Sequence, residues 1–170
     1  MAHLALKMYD YHVWANGVII GRLKELPEDI YQKEIQTGFS SVSKVLSHIY
    51  CTDYTWFDII SGKNMREALA YANQLREQVE TKSIEEMEKI FLDLSKRYKE
   101  LLNSEEDIEK VIVVDNPYAG LLETPVSELV LHVVTHGSYH RGNIATMLRQ
   151  MGHTSVMQDY GLYQFMPQTS

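Results

Sequence analysis

Apolar residues recur at three- and four-residue steps in four stretches of the chain, which is the spacing of an amphipathic helix. These stretches are residues 2–26, 40–61, 83–103 and 124–151. Three of them are followed by a residue that commonly ends a helix, namely Pro27, Gly62 or Gly152. The pattern therefore predicts four long helices.

The residues at the starts of these stretches support the same boundaries. Ser40 or Ser41 can cap the second helix, because a serine oxygen accepts a hydrogen bond from a free backbone N–H of the first turn. Residues 83–86, Ser-Ile-Glu-Glu, match a capping box at the start of the third helix. Thr124 as N-cap and Pro125 at the first helical position predict the start of the fourth.

The segments between the helices differ in character. Residues 27–39 are predicted to be a connection. Residues 65–79 are compatible with a short helix, but their apolar pattern is weak, so residues 63–82 are interpreted as a long crossover. Residues 103–109 read as an acidic loop. Residues 111–114 are β-branched and precede an Asp-Asn-Pro turn, which predicts a short strand and a hairpin closing at residues 121–122.

These elements predict an all-α fold, a four-helix bundle with a short hairpin before the last helix. A short connection makes the first two helices antiparallel, and the long crossover lets the third run parallel to the second. The hairpin then turns the fourth helix back, giving an up-down-down-up order. Residues 1–170 are predicted to form a single domain.

Composition narrows the classes of function. The chain has 170 residues, of which 45% are hydrophobic and 23% charged, as expected for one compact soluble domain. A net charge of -7 and the lack of a basic run disfavour nucleic-acid binding. No apolar run is long enough for a membrane span, and no signal peptide is evident. With Cys51 as the only cysteine, no internal disulfide can form, so a cytoplasmic protein is expected.

Candidate chemistry lies on the fourth helix, where His132, His136 and His140 recur at four-residue steps. Such side chains stand one above another on a helix, so two imidazoles can reach one metal ion. His140 falls on the margin of the apolar stripe and His136 slightly further round, while His132 turns toward solvent. The helical wheel thus selects His136 and His140 as the pair that faces a cleft beside the core.

The second predicted helix carries His48 and Asp53. His48 lies off the centre of the apolar stripe, and taken alone it reads as an exposed or boundary residue. Asp53 lies within the stripe, where a carboxylate needs a partner. It is expected to orient a ligand histidine, or equally to serve as a cap or in a salt bridge.

Three segments have distinctive sequences, namely residues 9–16, YDYHVWAN, residues 46–49, LSHI, and residues 135–144, THGSYHRGNI. Together they resemble the DNA damage-inducible DinB family, the bacterial DinB/YfiT-like group of metal-binding bundles and not the DNA polymerase of that name. The histidine followed by Arg-Gly is the most specific of these features. The resemblance extends over almost the full chain, including the strand and turn before the last helix.

The resemblance implies a divalent metal bound by His48, His136 and His140, since the family uses one histidine of helix 2 and an HxxxH pair of helix 4. It also implies frequent homodimers and the up-down-down-up bundle. Some relatives are transferases or isomerases that activate a low-molecular-weight thiol such as bacillithiol or mycothiol. A small-molecule substrate is therefore expected, and no nucleic-acid or membrane partner.

Three neutral histidines with an open position suit zinc, nickel or ferrous iron. Such an ion lowers the pKa of a bound water or thiol, and its occupancy is expected to fall below about pH 6. Three functions remain open at this point. They are a metal-dependent thiol S-transferase, a non-catalytic metal-binding stress-response protein and a metal-dependent hydrolase.

The remaining candidate residues receive simpler assignments. Cys51 is predicted to point away from the core stripe and to act as a small hydrophobe, not as the attacking thiol. Arg141 lies close to the apolar stripe and is expected to pair with an acid across a helix or dimer contact. Tyr139 projects away from the stripe. The other histidines are predicted at the surface: His3, His12 and His153.

Overall fold

The computed structural model describes residues 3–167, without the side chain of residue 105, as a mostly helical chain with a small antiparallel hairpin. None of the helices within this range is both long enough and apolar enough to cross a bilayer. In chain order the elements are α1 (Leu4–Glu25), α2 (Glu28–Gln32), α3 (Val42–Ile60), α4 (Met65–Glu80), α5 (Ile84–Leu101), α6 (Glu105–Glu109), β1 (Val111–Asn116), β2 (Gly120–Pro125), α7 (Val126–Gln150) and α8 (Tyr160–Tyr163).

The four longest helices, α1, α3, α5 and α7, enclose the main core and correspond to the four apolar stretches of the sequence. Both α7 and α5 contact α1 and α3. Ile19, Ile49, Tyr98 and Val130, one from each helix, are fully buried between them. Burial of such side chains is the main favourable term in folding, at about 25 cal/mol per Å² of apolar surface. As a result, one side of α7 faces α3 and another faces α1.

The predicted hairpin is present. Strands β1 and β2 pair antiparallel with Val114 opposite Leu122. Gly120 begins β2 with a φ of 89°, a conformation that favours glycine. The second strand extends beyond residues 121–122 to Pro125. Val114 is buried against Leu129 of α7, so the hairpin is anchored beside the helix that follows it.

The predicted start of α7 was wrong by one position. Thr124 was expected to cap this helix, but it pairs with Ile112 across the hairpin. Pro125 therefore takes the N-cap position, without a side-chain cap, and Val126 is the first helical residue. The backbone of Thr124, which the capping pattern assigned to the helix, belongs instead to strand β2.

The predicted crossover at residues 63–82 contains a complete helix, α4, which packs along α3. Its start is capped by Asn64, whose side-chain oxygen accepts a hydrogen bond from the Glu67 N–H at 2.9 Å. Its buried positions include Ala68 and Ala72. Alanine favours helices but contributes little to an apolar pattern, which explains why the periodicity was weak.

Two shorter predicted loops also contain helices. Residues 27–39 include α2, with Ile30 buried, and residues 103–109 include α6. Ser104 and Asp107 form a capping box at the start of α6. Helices of this length span little more than one turn, so apolar periodicity cannot reveal them.

Candidate metal centre

The three histidines predicted as ligands lie together where α3 packs against α7. His48 comes from the second turn of α3, and His136 and His140 lie one turn apart in the middle of α7. One ligand nitrogen from each residue lies within 4.8 Å of the other two. The His140 ring centroid is 4.5 Å from that of His48 and 4.4 Å from that of His136.

The distances between these nitrogens fit a metal ion. The Nε2 atoms of His48 and His136 are 3.0 Å apart. Two ligands bound at 2.0–2.1 Å to a tetrahedral ion lie about 3.3 Å apart, close to this value. Two ring nitrogens facing each other need a shared proton or a cation, because two lone pairs repel. The three residues therefore fit a divalent transition metal such as zinc, nickel or ferrous iron.

Neighbouring side chains orient two of the rings. His140 Nδ1 lies 3.0 Å from Asn143 Oδ1, an acceptor, so Nδ1 carries the proton and Nε2 is left as the free donor of an electron pair. The Phe39 ring packs 5.3 Å from His48 and 5.4 Å from His140. His136 Nδ1 is buried and has no hydrogen-bond partner among the described residues. Sequence reasoning missed Phe39, because its segment has no regular structure.

The surroundings keep these imidazoles neutral. Burial, followed by the His140 and Arg76 charges, lowers the pKa of His48 to about 4. Burial and then the His140 and His48 charges lower the pKa of His136 to about 3. Burial also lowers the pKa of His140, although the Asn143 hydrogen bond opposes this shift. The rings are therefore deprotonated at neutral pH, as metal ligation requires.

Acid should destabilise the metal-free protein more than it destabilises a His48→Gln variant. The folded-state pKa values of His48 and His136 lie below the unfolded value of about 6.5, so the unfolded chain takes up these protons first. This contribution to stability is retained above about pH 6.5 and lost as the pH falls through about 4 for His48 and about 3 for His136. Urea unfolding at a series of pH values measures this difference, and equal pH dependence of both proteins would contradict it.

Known proteins resemble this chain in sequence over its full length. The family model described as DinB family matches residues 1–170. A curated relative, Protein DinB of Bacillus subtilis (strain 168), is 54% identical over 169 residues, which cover 99% of this chain and 98% of the relative. The chain belongs to the DinB family.

Solved structures of DinB-like proteins share the fold at low sequence identity. One from Bacillus cereus ATCC 10987 has a TM-score of 0.63 and 17% identity, and covers 90% of this chain and 94% of its own. One from Bacillus subtilis has a TM-score of 0.61 and 18% identity, and covers 89% and 96% respectively. At this identity the likeness concerns the DinB fold alone.

His132, the third histidine of the ladder in this DinB-family chain, lies outside the cluster. Its side chain is exposed, as the helical wheel predicted, and its ring packs 5.0 Å from that of Trp56. It is one helical turn from His136, at a centroid distance of 6.0 Å. His132 is therefore a suitable control position for substitutions of the ligand histidines.

The assignment of His12 to the surface was wrong. Its side chain is 1% exposed, and Nε2 lies 2.7 Å from Asp53 Oδ2. The helical position of His12, three residues after the buried Tyr9 and four before the buried Asn16, is the signal that could have revealed this. Asp53 therefore has a buried partner, but that partner is not one of the clustered histidines.

A buried polar network extends from this pair in the DinB-family chain to α7. Because a carboxylate only accepts hydrogen bonds, His12 Nε2 carries the proton and His12 Nδ1 accepts from Arg141 Nη1 at 3.1 Å. Arg141 also donates to Asn16 Oδ1 at 2.8 Å. Arg141 was expected to pair with an acid, and it is linked to Asp53 through the His12 imidazole. The network therefore joins α1, α3 and α7.

Cys51 is 2% exposed and belongs to the main core, so the prediction that it points away from the core was wrong. Helix α4 covers this side of α3, which explains the difference. Burial raises the pKa of the Cys51 thiol to about 11, which leaves it protonated at neutral pH. This agrees with the assigned role of a small hydrophobe and not an attacking thiol.

Proposed function

We propose that this protein is a metal-dependent S-transferase that activates a low-molecular-weight thiol, of the bacillithiol type, toward an electrophile. The observation that carries the proposal is the convergence of neutral His48, His136 and His140 from two helices. Structural zinc sites usually have four protein ligands, whereas three protein ligands leave a position for a reactant. DinB family membership supports the same choice.

The three histidines would hold a zinc, nickel or ferrous ion, and His140 would do so through the Nε2 atom that Asn143 leaves free. When bound, such an ion supplies a Lewis acid that lowers the pKa of a thiol and makes the thiolate available near neutral pH. Phe39 packs against His48 and His140 and places an apolar surface beside them. An apolar environment strengthens electrostatic interactions within the site.

The proposed reaction is a substitution or addition at carbon. The thiol sulfur forms a bond to the electrophilic carbon, and the bond from that carbon to its leaving group breaks. The leaving group, for example chloride, departs with the electron pair, and the thiol proton passes to solvent. With an epoxide, the C–O bond breaks instead, and the alkoxide oxygen takes up a proton.

Hydrolysis is the less favoured reaction, because an activated water commonly needs a positioned base. Asp53 was the acidic candidate from the sequence, but one of its oxygens is bound to His12 in the buried network. The same carboxylate compensates the buried charge of Arg141 through that imidazole. Asp53 is therefore better suited to holding α1, α3 and α7 together.

The test uses protein purified without a histidine tag, stripped with a chelator and reloaded with zinc, nickel or ferrous iron. Each form is incubated with a panel of thiols and with 1-chloro-2,4-dinitrobenzene or an epoxide, and the thioether product is measured. We expect turnover above the protein-free rate, reduced more than tenfold by stripping and unchanged in Cys51→Ala. Tight metal binding without turnover for any pair would instead favour a non-catalytic metal-binding stress-response protein.

Three further proposals concern the helix arrangement, the oligomeric state and the cellular location. The pairwise contacts among α1, α3, α5 and α7 support a four-helix bundle, for which the up-down-down-up order stays a prediction. Family resemblance favours a homodimer, which sedimentation of the purified protein would test. A cytoplasmic location also stays a prediction, to be tested by fractionation of cells.

A further inference from the structure

A cleft of about 270 Å³ lies directly beside the histidine cluster, on the His140 side. An apolar cavity of about 150 Å³ is sufficient to bind benzene, so this cleft has room for a single-ring molecule. It lies between the segment before α3 and the second half of α7. Its lining residues include Thr37, Gly38, Phe39, Tyr139, His140, Asn143, Thr146 and Met147.

Two aromatic rings border this cleft, and both meet His140 edge to face. The centroid distances to the His140 ring are 5.4 Å for Phe39 and 5.0 Å for Tyr139. The Tyr139 side chain is 72% exposed and thus presents a large aromatic surface to solvent next to a candidate metal ligand. Aromatic rings attract one another in edge-to-face and offset-stacked arrangements, so a planar ligand gains from both rings.

The charge of the lining selects among ligands. The lining residues within the described part of the chain include no lysine, arginine, aspartate or glutamate. An anion that enters such a cleft loses hydration without gaining an opposite charge, which is unfavourable. Arg76 of α4, whose charge acts on His48, is not among the lining residues.

The cleft also contains a polar group that can orient a ligand. Since Asn143 Oδ1 accepts from His140 Nδ1, the amide nitrogen of Asn143 remains available as a donor. A nitro or carbonyl oxygen on an aromatic ring is an acceptor that this donor can bind. One hydrogen-bond donor beside two aromatic rings is a typical arrangement for positioning a small planar molecule.

We propose that this cleft is the binding site for the electrophile, an uncharged aromatic molecule that carries a nitro or carbonyl group. Its role as the thiol acceptor rests on the proposed function, but its binding does not, because the cleft is formed by protein side chains alone. In the transfer reaction the ring carbon bearing the leaving group faces the thiol sulfur. The sulfur adds to this carbon to form the C–S bond, the leaving group then departs with its electron pair, and the thiol proton passes to solvent.

The test measures binding of two unreactive probes to metal-free and to zinc-loaded protein, by ligand-observed NMR titration. The probes are 4-nitroanisole, which is uncharged, and 4-nitrobenzoate, its anionic counterpart. We expect the metal-free protein to bind 4-nitroanisole at least tenfold more tightly than 4-nitrobenzoate, and the zinc-loaded protein to bind 4-nitroanisole with the same affinity. We also expect Tyr139→Ala and Phe39→Ala each to weaken 4-nitroanisole binding about fivefold.

A matched control is Tyr118→Ala, because Tyr118 is 90% exposed at the hairpin turn and does not line the cleft. This variant should bind 4-nitroanisole as the unmodified protein does. The exposed Tyr139 can be removed without opening the core, so its result does not depend on the folding of the Phe39 variant. Equal binding of both probes to the metal-free protein, or unchanged 4-nitroanisole binding in Tyr139→Ala, would overturn the proposal even if thiol transfer were found.

Discussion

Replacing His136 with alanine is expected to lower the affinity for zinc by more than about 100-fold. Changing a residue that only supports a metal ligand typically costs 10–100-fold in affinity, and loss of a ligand itself should cost more. His136 is the ring whose Nε2 lies 3.0 Å from that of His48, so its removal opens the centre of the cluster. Competition with a chromophoric zinc chelator at pH 7.5 measures the change.

The control for this experiment is His132→Ala, one turn earlier on the same helix. His132 is exposed and packs on Trp56 outside the cluster, so its removal should change the zinc affinity less than twofold. Circular dichroism of both variants checks that the helices remain. If His132→Ala weakened zinc binding as much as His136→Ala, zinc would be bound by surface histidines of α7, and the proposed cluster would be wrong.

The two histidines of α7 could be selected from the sequence because helical geometry is local. Four-residue spacing and the position of the apolar stripe distinguish His136 and His140 from His132 without knowledge of other helices. His48 is different, because the apolar pattern of its own helix indicates a boundary residue. Only the family resemblance associates His48 with His136 and His140. Contacts between residues 88 positions apart depend on packing, which spacing within one helix does not encode.

The buried network illustrates the same limit. A carboxylate within the stripe of α3 indicated that Asp53 needs a partner, but not which one. That partner is His12 of α1, reached across the core at 2.7 Å. For α4 the sequence favoured a crossover over a short helix for another reason, since its buried alanines give little contrast between apolar and polar positions.

Gly137→Ala is expected to destabilise the protein by about 3 kcal/mol. Gly137 lies between the two candidate ligands of α7, where the helix passes His12 of α1. A β-carbon at this position would lie 2.6 Å from His12 Nδ1 and 2.9 Å from Arg141 Nη1. It would therefore separate the pair whose hydrogen bond joins α1 to α7.

Opposing terms make up this loss of stability. Forcing a methyl group into a packed interior costs about 1–3 kcal/mol. Leaving a buried donor or acceptor without its partner costs about 1–3 kcal/mol more, and Arg141 carries a charge at 1% exposure. The higher helix propensity of alanine offsets about 1 kcal/mol of this loss. Urea unfolding followed by circular dichroism measures the net change in the free energy of unfolding.

Gly142→Ala is the matched control, because it adds the same methyl group to the same helix five residues later. Gly142 is exposed, and a β-carbon placed there would have no neighbouring atom within 4 Å outside its own helix backbone, so only the propensity gain of about 0.5–1 kcal/mol remains. The two substitutions should thus change stability in opposite directions. If the Gly137→Ala and Gly142→Ala variants had the same free energy of unfolding, His12 could not pack closely against α7 at Gly137. In that case the inferred coupling between the buried network and the helix that carries His136 and His140 would fail with it.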